Sequence, residues 1–336
     1  LYTTPSEVIS VEAGASDYYV SKERHSEEYT IVYADADKAY IALDFAKKYT
    51  NLDYKVFKKP NRIMITSTWG DITVAAMKKS AQLRVKGGIK SPILKELEKG
   101  DSVIIVEEGK KWTKVSTDDG YIGYVKNRQI GKTKTETLKS DFQEPEFTHI
   151  LKDKKINMAW HQVTEQSANS SLAQVLSATK GVNVISPTWF YLNDNQGGIH
   201  SLASSDYVNY AHQHDVEVWA LVSNLENPDV DTTQVLTHTS YRENLTNNLI
   251  SMAIQYDLDG INVDMEALSS DAGDGYIQFI RELSIKCEKN DIVLSVDNYV
   301  PSSYTAFYDR AEQALFADYI IIICLLYTSD AADDKA

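Results

Sequence analysis

From residue 151 onward the chain repeats one pattern: a short apolar, β-branched run, a polar loop, then apolar residues at helical spacing. The strand-like runs are 156–162, 182–190, 217–223, 260–266, 292–296 and 318–323. Between them, Leu245, Leu249, Met252, Ala253 and Tyr256 share one helical face, behind a capping-box start at Ser240 and Glu243. Tyr276, Phe279, Ile280, Leu283 and Cys287 mark the next helix, and Tyr304, Phe307, Tyr308, Ala311 and Leu315 the one after. Apolar strands alternating with amphipathic helices predict parallel βαβ units, in a barrel or a doubly wound sheet. No glycine-rich phosphate loop follows the first strand, which favours the barrel.

The front of the chain reads differently. Residues 1–76 mix short alternating runs with one helical pattern (Ala42, Phe45, Ala46, Tyr49), which predicts a small α+β domain. Residues 77–131 read as five short strands with turn signals at Gly87-Gly88, Gly100-Asp101, Glu108-Gly109 and Asp119-Gly120, a small all-β barrel. Residues 132–150 are polar and unpatterned, hence a linker. The expectation is a multidomain chain whose incomplete (β/α)8 barrel, broken off after about six strands, spans 151–323.

Chemistry concentrates in Asp259-Gly-Ile-Asn-Val-Asp-Met-Glu266. Side chains alternate along a strand, so Asn262, Asp264 and Glu266 share one face. In a barrel that face points inward, and Glu266 falls at the C-terminal end, where barrel active sites lie. Buried polar neighbours cost several kcal/mol unless they hydrogen-bond or do chemistry, and adjacent carboxylates raise one another's pKa, as a general acid requires. From the residues alone, a solvated acidic loop remains the other reading.

Charge adds a division. Residues 1–150 carry 24 Lys+Arg and 22 Asp+Glu, whereas 151–336 carry 10 and 26, so the barrel half is a poor partner for nucleic acid. The longest apolar run, nine residues from Tyr319 to Tyr327, is far short of the ~20 needed for a membrane span. Cys287 and Cys324 form no disulfide framework or metal-ligand spacing, and His212 and His214 would point to different helix faces. No metal and no cofactor are expected. The chain begins at Leu1, so a signal segment upstream is compatible with export.

Several stretches resemble known families. Tyr40-Ile-Ala-Leu-Asp-Phe-Ala-Lys-Lys-Tyr49 with Pro60-Asn-Arg-Ile-Met-Ile-Thr66 resembles the small N-terminal domain of copper amine oxidases, although His25 alone is available as an imidazole there. Arg84-Val-Lys-Gly, Leu97-Glu-Lys-Gly-Asp101, Trp112-Thr-Lys-Val and Gly120-Tyr-Ile-Gly-Tyr-Val125 resemble bacterial Src-homology-3 (SH3) barrels. That resemblance implies a cell-wall peptide as partner, with Trp112, Tyr121 and Tyr124 as groove candidates, or else a spacer. Asp259, Asp264 and Glu266 match the Asp-x-x-Asp-x-Asp-x-Glu signature of glycoside hydrolase family 18, with Asn262 in place of an Asp. The flanking Ser186-Pro-Thr-Trp-Phe190, Val218-Trp-Ala-Leu-Val-Ser-Asn224 and Leu294-Ser-Val-Asp-Asn-Tyr-Val-Pro301 resemble its bacterial spore-cortex-lytic and germination branch.

The family 18 resemblance implies a retaining, substrate-assisted glycosidase acting on β-1,4-linked N-acetylglucosamine in peptidoglycan, cortex or chitin-like glycans. Glu266 would be the acid, Asp264 the partner of the acetamido N–H, and Asn262 a hydrogen-bond partner of Asp264. Asp259 completes the signature. Trp189, Trp219 and Tyr299 are candidates for sugar contacts, with Asn298 as a polar contact; for the two tryptophans, barrel core is the competing role. The implied location is extracellular, at the wall or spore. The alternative is a glycan-binding or germination-complex protein on the same barrel. From Cys324 the residues resemble a translated sequencing adapter, so 324–336 are expected to be non-native and the chain as given inactive.

Overall fold

A computed structural model describes residues 1–36 and 38–323; the tail expected to be non-native lies outside the described residues. Two compact units result, one of Leu1–Val11, Asp17–Ser26 and the chain from Pro145 on, the other of Glu12–Ser16 and Glu27–Glu144.

In the first unit, six strands run parallel: Met158–His161, Val184–Pro187, Glu217–Ser223, Gly260–Asp264, Val293–Tyr299 and Tyr319–Ile323. Their spatial order equals their sequence order. A doubly wound sheet reverses direction at a switch point; this one never does among the described residues, so its six strands, with helical connections between them, are successive strands of a (β/α)8 barrel. Outward residues of the fourth strand, Ile261 and Val263, are fully buried against the helical layer, where Leu245, Leu249, Tyr276, Phe279 and Leu283 lie. Inward residues plug the N-terminal end: Val184, Trp219 and Val293, with Met158 and Tyr319 packed on them.

The helices depart from the expected pattern in two places. Thr239–Tyr256 has no side-chain cap and no capping box at Ser240, because the short helix Thr232–Thr237 runs into it through His238. It is Asp231 that caps, accepting from the Gln234 N–H at the start of the short helix. The helix expected around 304–315 is two elements, Ser303–Tyr308 and Arg310–Phe316. Asp309 separates them in a left-handed conformation (φ 39°) and caps the second through the Glu312 N–H. No described helix is long and apolar enough to cross a membrane.

The expected boundaries shift. Tyr2–Thr3, Val8–Val11, Asp17–Val20 and Glu23–Ser26 form an antiparallel sheet within the barrel unit, with its first strand against the helix Gly273–Lys289. Residues 1–76 are therefore not one domain. In the second unit seven antiparallel strands share a core of Ala75, Met77, Ala81, Leu83, Leu97, Val103, Val115, Val125 and Ile130. Gly70–Met77 and Ile130–Leu138 pair with each other along their length, so the all-β barrel spans about 70–138 rather than 77–131. The supposed linker thus contributes residues 132–138 to a strand. Its alternating Thr133, Thr135 and Thr137 suit a pleated ribbon exposed on both faces, which reads as linker when only apolar periodicity is scored.

Candidate active site

The fourth strand delivers Asn262 and Asp264 inward, and the chain continues through Met265 to Glu266 at the C-terminal mouth. A cavity of about 510 Å³ opens there, lined by Asp264, Glu266, Asp297, Tyr299 and Tyr308 among others. Three carboxyl groups from two adjacent strands and one loop therefore face one space.

Each is held differently. The backbone of Glu266 is clamped by Asn224, at the end of the third strand. The Asn224 amide accepts from the Glu266 N–H (2.8 Å) and donates to the Glu266 carbonyl (3.0 Å). Its carboxylate accepts from the Tyr299 hydroxyl at Oε2 (2.8 Å), and that hydroxyl accepts in turn from the Ala267 N–H (3.1 Å). The chain turns at Ala267, where φ is 52°. Tyr308, buried beneath, donates to the Met265 carbonyl (3.1 Å).

Asn262 is wholly buried, and all its hydrogen-bonding capacity is used. Its Oδ1 accepts from Trp160 Nε1 and the Ser186 hydroxyl (3.1 Å each); its Nδ2 donates to the Ser295 hydroxyl and to Asp297 Oδ1 (3.0 Å each). The expected bond from Asn262 to Asp264 is not made. The amide instead ties the first, second, fourth and fifth strands together and spends its second donor on Asp297.

Burial first, then the charges of Asp297, Glu266 and Glu226, push the Asp264 carboxyl up to about 7. Burial likewise pushes Asp297 up to about 6, against the opposing Asn262 hydrogen bond. Burial thus holds the Asp264 and Asp297 carboxyls well above the ordinary carboxylate range.

Four expected site residues lie elsewhere or are already spent. Asp259 precedes the fourth strand, roughly 20 Å of chain from Glu266 at 3.3 Å per residue. Its carboxylate accepts from the Val218 N–H (2.8 Å) and pairs with His212 Nε2 (2.8 Å), tying the N-terminal end of the barrel together. Trp219 is inward but in the basal plug, fully buried, with its indole N–H on Glu217 (3.0 Å). Trp189 is also fully buried, donating to Asn169 (2.8 Å) and packing edge-on against Tyr207. Neither tryptophan is exposed to a sugar. Asn298 borders the cavity but its amide is exchanged with buried Gln313 (2.7 and 3.1 Å), leaving no free polar contact. Tyr299 alone of the four expected contacts presents its side chain to the cavity and to Glu266.

Asp297, Trp160 and Asn224 were not singled out from the sequence. The signal for Asp297 was present: Ser295, Asp297 and Tyr299 alternate on one face of the fifth strand, as Asn262 and Asp264 do on the fourth. Trp160, on the first strand, is 47% accessible, with its indole N–H fixed on Asn262.

In the second unit a groove of about 280 Å³ is lined by Trp112, Arg84, Lys126 and Arg128, among others, with the Lys126 ammonium over the Trp112 ring. Tyr121 is not part of it; its ring carries the Arg62 guanidinium at 4.1 Å. Tyr124 also lies outside the groove lining.

Residues 79–130 match the family model for the bacterial SH3 domain. Over 153 residues the chain is 25% identical to an uncharacterized glycosylase, YvbX, of Bacillus subtilis, a match covering 42% of this chain and 44% of that protein. The chain thus spans less than half the length of this curated relative. Among solved structures, the spore cortex-lytic enzyme SleL of Bacillus cereus is 19% identical (TM-score 0.44), covering 49% of this chain and 40% of SleL. The C-terminal domain of a putative chitinase from Desulfitobacterium hafniense is 16% identical (TM-score 0.44), covering 50% of this chain and 54% of that one. Sequence resemblance thus runs to a bacterial SH3 domain over residues 79–130 and, over 153 residues, to a curated glycosylase.

Proposed function

We propose that the barrel is a retaining glycoside hydrolase of family 18 type that cleaves β-1,4 bonds of N-acetylglucosamine-containing glycans with the substrate's own acetamido group as nucleophile. One observation carries the reading: Glu266 stands at the C-terminal mouth with its carboxyl anchored by Tyr299, facing Asp264 across a cavity lined by acidic and aromatic side chains. Glu266 protonates the departing glycosidic oxygen. Asp264 then receives the acetamido N–H and balances the positive charge of the cyclised intermediate, after which Glu266 activates water. The glycosylase relative supports the reaction class, and the SH3 domain supports wall glycan, in peptidoglycan or cortex, over chitin. An extracellular, wall- or spore-associated location belongs to the same proposal.

The test is made in the full-length protein with purified peptidoglycan, cortex and chitin, reading released fragments by mass spectrometry. Glu266→Gln keeps the shape but has no proton to give, and should cut turnover by ~10²–10⁴-fold while ligand still binds. A thiazoline analogue of N-acetylglucosamine, resembling the cyclised intermediate, should inhibit strongly. More than a tenth of wild-type turnover in the Gln variant removes Glu266 as the acid. Indifference to saturating thiazoline points instead to an enzyme nucleophile.

A further inference from the structure

Asp264 and Asp297 are side by side. The fourth and fifth strands are parallel and in register from Gly260–Val293 to Val263–Val296, so the next pair up is Asp264 with Asp297. Both side chains face the cavity, on strands spaced about 4.8 Å apart. Asp297 is 2% exposed; its Oδ1 is fixed by Asn262, whereas its Oδ2 is buried and has no hydrogen-bond partner among the described residues. A buried carboxylate oxygen left without a donor is costly, and a proton on it removes that cost. The neighbour able to supply a proton is Asp264, which has no hydrogen-bonded donor of its own among the described residues. Asn262 cannot serve either group further, since both its amide hydrogens are spent.

We propose that Asp264 and Asp297 share one proton, with Asp297 Oδ2 as the seat that receives it when Asp264 has to carry charge. In the resting site the proton sits on Asp264 and the negative charge on Asp297, where the Asn262 N–H stabilises it. When the substrate's acetamido N–H approaches, the O–H bond at Asp264 breaks and one forms at Asp297 Oδ2. The charge moves the other way, with no further reactant. This use of the proton rests on the reading of Asp264 given under Proposed function; the sharing itself does not. Asp297 acts through Asp264 and is a positioning residue. The other charged and titratable groups facing the pair are Glu266, Glu226 and the hydroxyls of Tyr276, Tyr299 and Tyr308, and no basic side chain lines the cavity among the described residues. Burial and mutual repulsion place both carboxyls well above the ordinary range, as a proton-sharing pair requires.

The experiment is a pH titration of the full chain labelled with ¹³C at aspartate Cγ, for wild type, Asp297→Asn and Asp264→Asn. Sharing predicts that both wild-type resonances show the same two steps, the upper near pH 7. In Asp297→Asn, Asp264 should titrate in one step at least about one unit lower, the coupling that defines such pairs. In Asp264→Asn the upper step should vanish from Asp297. A single-step Asp264 curve unmoved by Asp297→Asn overturns the proposal. Should that variant not fold, an Asp297 curve identical with and without Asp264 overturns it equally. Turnover of N-acetylglucosamine glycans by the full-length protein is read in parallel. Hydrolysis with independent titrations defeats the sharing alone, and shared titration without any hydrolysis defeats the glycosidase reading alone.

Discussion

Asp264 makes the folded barrel less stable as the solution becomes more basic. Its carboxyl titrates near 7 in the folded chain against an ordinary 3.8, and the cause is mainly burial. For a carboxyl raised in this way, its contribution is fully present below about pH 4 and is lost as the pH rises through 7. Asp264→Asn removes that loss. At pH 8 the variant should be more stable than wild type by ~1–2 kcal/mol, a figure that allows for solvent screening of a partly exposed group. The advantage should vanish near pH 4. Urea titrations at the two pH values check this, and equal differences at both would show that the carboxylate is not strained. The inward placement of Asn262, Asp264 and Glu266 was legible from alternation alone, because a period of two is a local property. The fates of Trp189, Trp219 and Asp259 were not. Trp219 faces inward as an active-site residue would, but two layers too low, and Gly260 is there to make room: a Cβ at that position would lie 2.7 Å from Trp219 Cγ. Depth along a barrel axis depends on stagger between strands, which a single strand's sequence does not carry.

The third strand, the loop after the fourth and the end of the fifth act together. Asn224 from the third holds both the N–H and the carbonyl of Glu266, and Tyr299 from the fifth holds its carboxylate and the next N–H. These three pieces aim one side chain. Asn224→Ala removes both backbone anchors and leaves a buried N–H and carbonyl to find water, at about 1–3 kcal/mol of stability. Because the anchors set where the acid stands rather than how substrate binds, kcat in the full-length protein should fall by about 10–100-fold with KM nearly unchanged, a loss of placement rather than of affinity. A raised KM at constant kcat would assign Asn224 to substrate binding instead. Helix periodicity correctly identified the apolar faces of the two long helices. It did not register the break at Asp309, where a side-chain–backbone bond outweighs periodicity, or the uncapped junction at His238, where one helix runs into the next.

At the scale of the molecule, strand pairing decides what can fold alone. The β-barrel core has nine buried residues, of which Ala75 and Met77 come from the strand Gly70–Met77. The 79–130 segment that matches the SH3 family lacks those two and the pairing between Gly70–Met77 and Ile130–Leu138. Deleting a buried Met side chain alone costs ~2–5 kcal/mol, while a domain of this size holds only ~3–5 kcal/mol in total. Residues 27–69 add Arg62 over the Tyr121 ring but no member of the nine-residue core. These boundaries escaped the sequence because the outer strand is polar on both faces and its partner lies some 60 residues back along the chain. A fragment of residues 70–138 should therefore fold by itself, with dispersed amide resonances and one cooperative thermal transition. Residues 79–130 should show neither, because the apolar sheet face left by the missing strand has nothing to cover it. Circular dichroism melts of the two fragments decide the matter, and a 79–130 transition as sharp as that of 70–138, and within a few degrees of it, would show that the two outer strands are dispensable.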